Sequence, residues 1–115
     1  MKGKHLILDL ITYTPIDTIE DVEPLMEEIV KIGKLNVLDK LKHQFNPIGT
    51  TIIYLLGESH LSIHTYPESN YVAMDLYCCN ANINLDDIKD YIYFYFNIKN
   101  ANGRGQTKEI ERVFR

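Results

Sequence analysis

The sequence predicts an α+β fold: a two-layer α/β sandwich with a mostly antiparallel sheet and helices on one face. Three observations carry that prediction. Residues 60–66 and 71–79 alternate in character residue by residue, the period of a strand. Residues 17–32 and 84–96 space apolar side chains three and four apart, the period of a helix. Short turns join several strands, which favours antiparallel pairing and a helical layer on one side.

The first apolar run, His5 to Tyr13, is nearly continuous and is closed by Pro15, so it reads as a buried strand. The helix that follows carries Ile19, Val22, Leu25, Met26, Ile29, Val30 and Ile32 on one stripe. Its acids come early (Asp17, Glu20, Asp21, Glu23) and Lys31 comes late, which suits the helix dipole. Pro24 is comfortable only in a first turn, so the regular helix is expected to begin near Asp21, and Gly33 to end it. Residues 35–45 read as a strand, 46–49 as a turn, and 50–56 as a β-branched strand broken by Gly57. In 60–66, His60, Ser62, His64 and Tyr66 point one way and Leu61, Ile63 and Thr65 the other. Residues 67–70 form a turn. In 71–79, Val72, Met74, Leu76 and Cys78 make an apolar face, with Tyr71, Ala73, Asp75, Tyr77 and Cys79 opposite. By that parity Cys78 belongs to the core and Cys79 to a site. Asn84 caps a second helix with Asp86 and Asp87 in its first turn. Its stripe is Ile88, Tyr91, Ile92, Tyr95 and Phe96. A polar loop over 100–106 leads to a last strand over 107–114, with Ile110, Arg112 and Phe114 on one side. The second sheet face is left for solvent or another subunit.

Composition narrows the function classes. At 115 residues and 13.4 kDa the chain is a single domain, 1–115, able to bury a real core without metals or disulfides. Its net charge of −4, with no basic block, argues against a nucleic-acid platform. No apolar run approaches the roughly 18 residues of a membrane helix. The first residues do not form a signal peptide. Cys78 and Cys79 are neighbours and cannot staple a fold, so a reducing cytoplasm is expected.

The chemistry-bearing stretch runs from Gly57 to Glu68 and holds two His, two Ser, a Thr and two Glu. On a strand His60 and His64 stand about 13 Å apart, too far for one ion, so no metal site is expected. Ser59 lacks the surroundings of a hydrolase nucleophile elbow. On spacing alone the stretch reads as a polar sheet face with satisfied hydroxyls rather than as any single nucleophile.

A resemblance goes further. Glu58-Ser59-His60-Leu61-Ser62-Ile63-His64-Thr65-Tyr66-Pro67-Glu68 resembles the processing-site motif of the prokaryotic S-adenosylmethionine decarboxylases. Lys4-His5-Leu6, His43-Gln44-Phe45 with Pro47 and Gly49, and Asp75-Leu76-Tyr77-Cys78-Cys79 extend the likeness over nearly the whole chain. That family is made as a proenzyme and carries a pyruvoyl cofactor cut from its own chain. The resemblance implies that Ser59 Oγ attacks the Glu58 carbonyl, that elimination splits the chain into 1–58 (β chain) and 59–115 (α chain), and that residue 59 becomes pyruvoyl. The pyruvoyl ketone then forms a Schiff base with the substrate amine and takes up the electrons left by CO2 loss.

The resemblance also implies roles. His64 matches the processing base and Cys79 the proton donor in turnover. Glu68 matches the acid that binds ribose hydroxyls, and Phe45 an aromatic that stacks on adenine. Thr51 stands where the family has a processing Ser, and Tyr66 where it often has Trp. Asp9 is placed at the edge of the site, and Asp75 is a further candidate carboxylate. A homodimer of α/β pairs with the site between protomers is implied. The substrate implied is S-adenosylmethionine, and the product is the aminopropyl donor for spermidine. The alternatives are arginine or ornithine on the same scaffold, or a non-catalytic regulatory homologue; intact Glu58, Ser59, His64 and Cys79 argue against the last.

Overall fold

In the computed structural model, which describes residues 2–80, 82–99 and 103–113, the chain runs β1 (Lys2–Ile11), α1 (Ile19–Gly33), β2 (Val37–Gln44), β3 (Thr50–Leu56), β4 (His60–Tyr66), β5 (Tyr71–Cys78), α2 (Leu85–Tyr95) and β6 (Gly105–Val113). The expected strand end at Phe114 and loop residues 100–102 lie outside the described residues. One 3-10 turn, Pro67–Ser69, links β4 to β5. The strands form a single sheet in the order β2-β3-β4-β5-β1-β6, with every neighbouring pair antiparallel.

Strand alternation decides which face carries the core. Leu6, Leu8 and Leu10, Ile52 and Tyr54, Leu61 and Ile63, and Val72, Met74 and Leu76 are all buried. They pack with Val22, Leu25, Met26 and Ile29 of α1 and Ile88 and Ile92 of α2 in one cluster. The intervening residues of β3, β4 and β5 form a second, open face.

Helix α1 starts two residues earlier than the proline suggests. Thr18 accepts from Asp21 N (3.2 Å) while the Asp21 carboxylate accepts from Thr18 N (2.9 Å), a reciprocal cap that fixes the first turn. Pro24 lies inside the helix. At the other end, the left-handed residue is Lys34 (φ 52°), not Gly33. Gly33 serves a different need: a Cβ there would stand 3.0 Å from Leu35 Cγ and 3.3 Å from Ile88 Cδ1, so its bareness lets α1 and α2 approach.

The edge strand β2 is exposed throughout except at Val37, which is half-buried. Its lysines cross to α1, where Lys40 Nζ meets Glu27 (3.1 Å) and Lys42 pairs with Glu23. Tyr54 Oη donates to Glu27 Oε2 (2.5 Å), so the hydroxyl of a core tyrosine reaches a carboxylate at the helix surface. Charges on an edge strand also discourage pairing with another sheet.

Ile63 lies at the centre of this packing and is fully buried. Ile63→Ala is expected to cost about 3 kcal/mol of stability, measured as the shift in guanidinium unfolding midpoint at unchanged slope.

Candidate active site

Because the strands pair in register, the open face is organised in rows. One row runs His43, Thr51, His64, Ala73, Asp9 and Gln106 across all six strands. The next holds Leu41, Ile53, Ser62, Asp75, Ile7 and Lys108, and the third Leu55, His60, Tyr77, His5 and Ile110. Every site residue on these strands therefore falls on the side away from the helices.

Glu58 and Ser59 occupy the bend between β3 and β4, just beyond the third row. Leu56 N donates to the Ser59 carbonyl (3.0 Å) and Gly57 N to the Asn36 carbonyl (3.1 Å), which fixes the bend. Cys79 is half-buried beside it. Its Sγ lies 3.8 Å from the Glu58 carbonyl oxygen and 3.8 Å from Tyr77 Oη. Cys78, by contrast, is buried, as alternation requires. A cleft of about 450 Å³ opens here, lined by Asn36, Glu58, Ser59, Cys79 and Asn80 among others. A hydroxyl, the carbonyl before it and a thiol thus share one cleft, and these are the groups a chain-derived carbonyl cofactor at position 59 needs.

The second group of residues lies at the other end of β4. Thr51 Oγ1 and His64 Nδ1 are hydrogen-bonded at 2.9 Å. Tyr66 stacks on Tyr71 (ring centroids 5.4 Å apart, planes 25° apart), and Tyr71 Oη donates to Asp9. That bond, followed by burial and the Asp9 charge, pushes the Tyr71 hydroxyl up to about 12, so it remains a donor through neutral pH. Glu68 is exposed on the 3-10 turn. Phe45 is 47% exposed, so it is no core residue, and its ring meets His43 edge-on at 4.5 Å.

The Phe45 loop is held by residues that the spacing of the sequence did not single out. Gln44 Nε2 donates to the Gly49 carbonyl (2.9 Å), its Oε1 accepts from Ile19 N (3.0 Å), and Asp17 accepts from Gly49 N (2.7 Å). Gly49 has φ +104°, and a Cβ on it would stand 3.3 Å from the Thr65 carbonyl. The resemblance grouped Gln44 and Gly49 with Phe45, but no local pattern shows that Asp17 and Ile19 hold them.

The structure does not bring His64 to Ser59 within one chain. They are five positions apart in the chain, about 16 Å along the strand direction. Between the two groups sits Asp75. Its Oδ2 accepts from His60 Nε2 (2.7 Å) and His5 Nε2 (2.8 Å), and its Oδ1 from Ser62 Oγ. A carboxylate only accepts, so both imidazoles carry their proton on Nε2. Three ligand atoms here lie within 4.8 Å of one another, and they are joined as a hydrogen-bond cluster. Burial raises the Asp75 carboxyl, but the bonds from Ser62, His60 and His5 outweigh it and hold the group below its ordinary 3.8.

A depressed folded-state value fixes the sign of the pH effect. Asp75 contributes stability that is complete above the unfolded carboxylate value, about pH 4, and is lost as pH falls through the lower folded value. Asp21 and Glu27 are lowered as well, Asp21 by the Thr18 amide and Glu27 by Tyr54. Unfolding midpoints are expected to be flat from about pH 6 to pH 5 and to fall below about pH 4. Asp75→Asn is expected to flatten part of that acid limb; an unchanged limb would remove Asp75 from it.

Comparison with known proteins gives the site a context. The sequence matches the family model described as S-adenosylmethionine decarboxylase over residues 4–112. The S-adenosylmethionine decarboxylase proenzyme of Sulfurihydrogenibium sp. is 44% identical over 92 residues, 78% of this chain and 69% of that protein. Proenzyme 2 of Bacillus cereus is 39% identical over 92 residues, 78% of this chain and 75% of that one. The crystal structure of the adenosylmethionine decarboxylase from Aquifex aeolicus superposes with a TM-score of 0.83 at 33% identity, covering 97% of this chain and 91% of that one. A match of this extent, together with a shared fold, places the chain in the S-adenosylmethionine decarboxylase family.

Proposed function

We propose that this chain is a self-processing, pyruvoyl-dependent decarboxylase of S-adenosylmethionine, cut between Glu58 and Ser59 into chains 1–58 and 59–115. The observation that carries the reading is the single cleft shared by Ser59, the Glu58 carbonyl and the Cys79 thiol. Ser59 Oγ attacks that carbonyl and turns the amide into an ester. A base removes the Ser59 Cα proton, the ester C–O bond breaks, and Glu58 leaves as a carboxylate. Water then replaces nitrogen at residue 59, releasing ammonia and leaving a pyruvoyl end. That group supplies the electron sink for the pair left when CO2 departs.

The chain's own residues supply the rest. Cys79 stands beside residue 59 and returns a proton to the decarboxylated carbon. The Phe45 ring, exposed at a braced loop, offers a face to adenine, and Tyr66 on its stacked partner offers a second aromatic surface. Glu68 offers two acceptor oxygens to the ribose hydroxyls. Asp9, fixed by Tyr71, marks the edge of this binding end.

The base is the difficulty within one chain, because His64 is about 16 Å from Ser59 along β4. A homodimer with open faces together resolves it. A two-fold axis across that face lays one protomer's Thr51–His64 end over its partner's Ser59–Cys79 end. The open face also carries exposed Ile11, Leu41, Leu55 and Ile110, which such a contact covers. No described helix is long and apolar enough to cross a membrane. The adjacent free thiols of Cys78 and Cys79 support a cytoplasmic location.

Intact mass under denaturing conditions is expected to give two chains in place of one of 13.4 kDa, and CO2 release is expected from S-adenosylmethionine over arginine or ornithine. Ser59→Ala and His64→Ala are each expected to stay whole when made alone. Co-expressed, they form mixed dimers in which one complete site exists, and the His64→Ala chain is then cut. A mixture that stays whole would sink the shared site. Cys79→Ala is expected to lower kcat about a hundredfold.

A further inference from the structure

Cleavage changes the mechanical situation of residue 59. In the intact chain it is the last residue of a three-residue bend, Gly57–Ser59, tied covalently to β3 on one side and β4 on the other. After cleavage it is a chain end, and chain ends fray unless something holds them. The backbone holds it in part: Leu56 N reaches the Ser59 carbonyl at 3.0 Å, and His60 pairs with Leu55 and Tyr77.

We infer that Asp75 is the positioning residue that anchors the new chain end, by gripping the first and third residues of β4 through both oxygens of one carboxylate. His60, the residue next to the cut, donates Nε2–H to Oδ2 (2.7 Å), and Ser62 donates to Oδ1. His5 of β1 donates to Oδ2 from the opposite side (2.8 Å), so the carboxylate is itself fixed between three strands. The Asp75 side chain is 25% exposed, which strengthens charge-assisted bonds relative to those at an open surface. The anchor matters little while the bend is closed, because the bend already limits the excursions of His60. Once the bend is cut, the grip on His60 and Ser62 is what keeps residue 59 beside Cys79. Asp75 acts through β4 and touches neither scissile carbonyl nor thiol. This role rests on cleavage between residues 58 and 59.

The test compares Asp75→Asn in two backgrounds, the cut wild-type chain and the uncut Ser59→Ala chain, by hydrogen exchange of peptide 60–66. In the uncut chain the substitution is expected to raise exchange no more than about threefold; in the cut chain, about tenfold or more. His60→Gln leaves Asp75 bonded to His5 and Ser62 and is expected to show the same dependence on cutting, which covers an Asp75→Asn chain that folds poorly. Equal acceleration in both backgrounds would make Asp75 an ordinary structural residue and overturn the anchor. No acceleration in the cut chain would do the same. A wild-type chain that stays whole would overturn the cleavage site and the anchor with it.

Discussion

A strand can send only alternate side chains to the same side of a sheet, and the rest of this protein is arranged around that restriction. Two helices cover one face and draw the leucines, isoleucines and valines of β1, β3, β4 and β5 beneath them. Everything polar that the sequence places between those residues must appear on the other face, in rows fixed by pairing register. A one-residue slip of β5 would bury Asp75 and expose Met74 and Leu76. The apolar face therefore determines where the chemistry stands.

On the polar face, carboxylates and donors occur as paired sets. Asp75 gathers His5, His60 and Ser62, and Asp9 takes Tyr71. Such pairing stabilises the charged form of Asp75 and fixes the tautomer of each imidazole on it. It also separates the two ends of the face. One end offers Ser59 and Cys79, the other Thr51, His64 and the aromatics, with the Asp75 cluster between them. On the proposed reading the two ends act together only when a second copy supplies one of them.

Much of this was legible in the residues. The alternation of Tyr71 to Cys79 separated buried Cys78 from half-buried Cys79, and both helix stripes held. Less legible were features in which one local signal outweighs another, or which depend on distant parts of the chain. Pro24 argued for a later helix start, but the Thr18–Asp21 cap is a local bond that overrides the discomfort of one proline. Gly33 looked like a helix stop and is instead a point of close approach to Ile88. The exposure of Phe45 is set by how its loop is braced from Asp17 and Gln44, which no local pattern shows. Asp75 was a candidate carboxylate, yet its partners are 13, 15 and 70 residues away, beyond any local pattern.

The strand order carries one more consequence. If the backbone is broken between β3 and β4, the first fragment owns β1, β2, β3 and α1, and the second owns β4, β5, β6 and α2. In the sheet, β1 lies between β5 and β6. One fragment is therefore threaded through the other, with a strand inserted into its partner's sheet and the two helices packed across the divide. Separation would need both ladders of β1 and the β3–β4 ladder to open together with the core. The strand order thus makes the two pieces parts of one cooperative body, and folding before cutting gives that interlock directly.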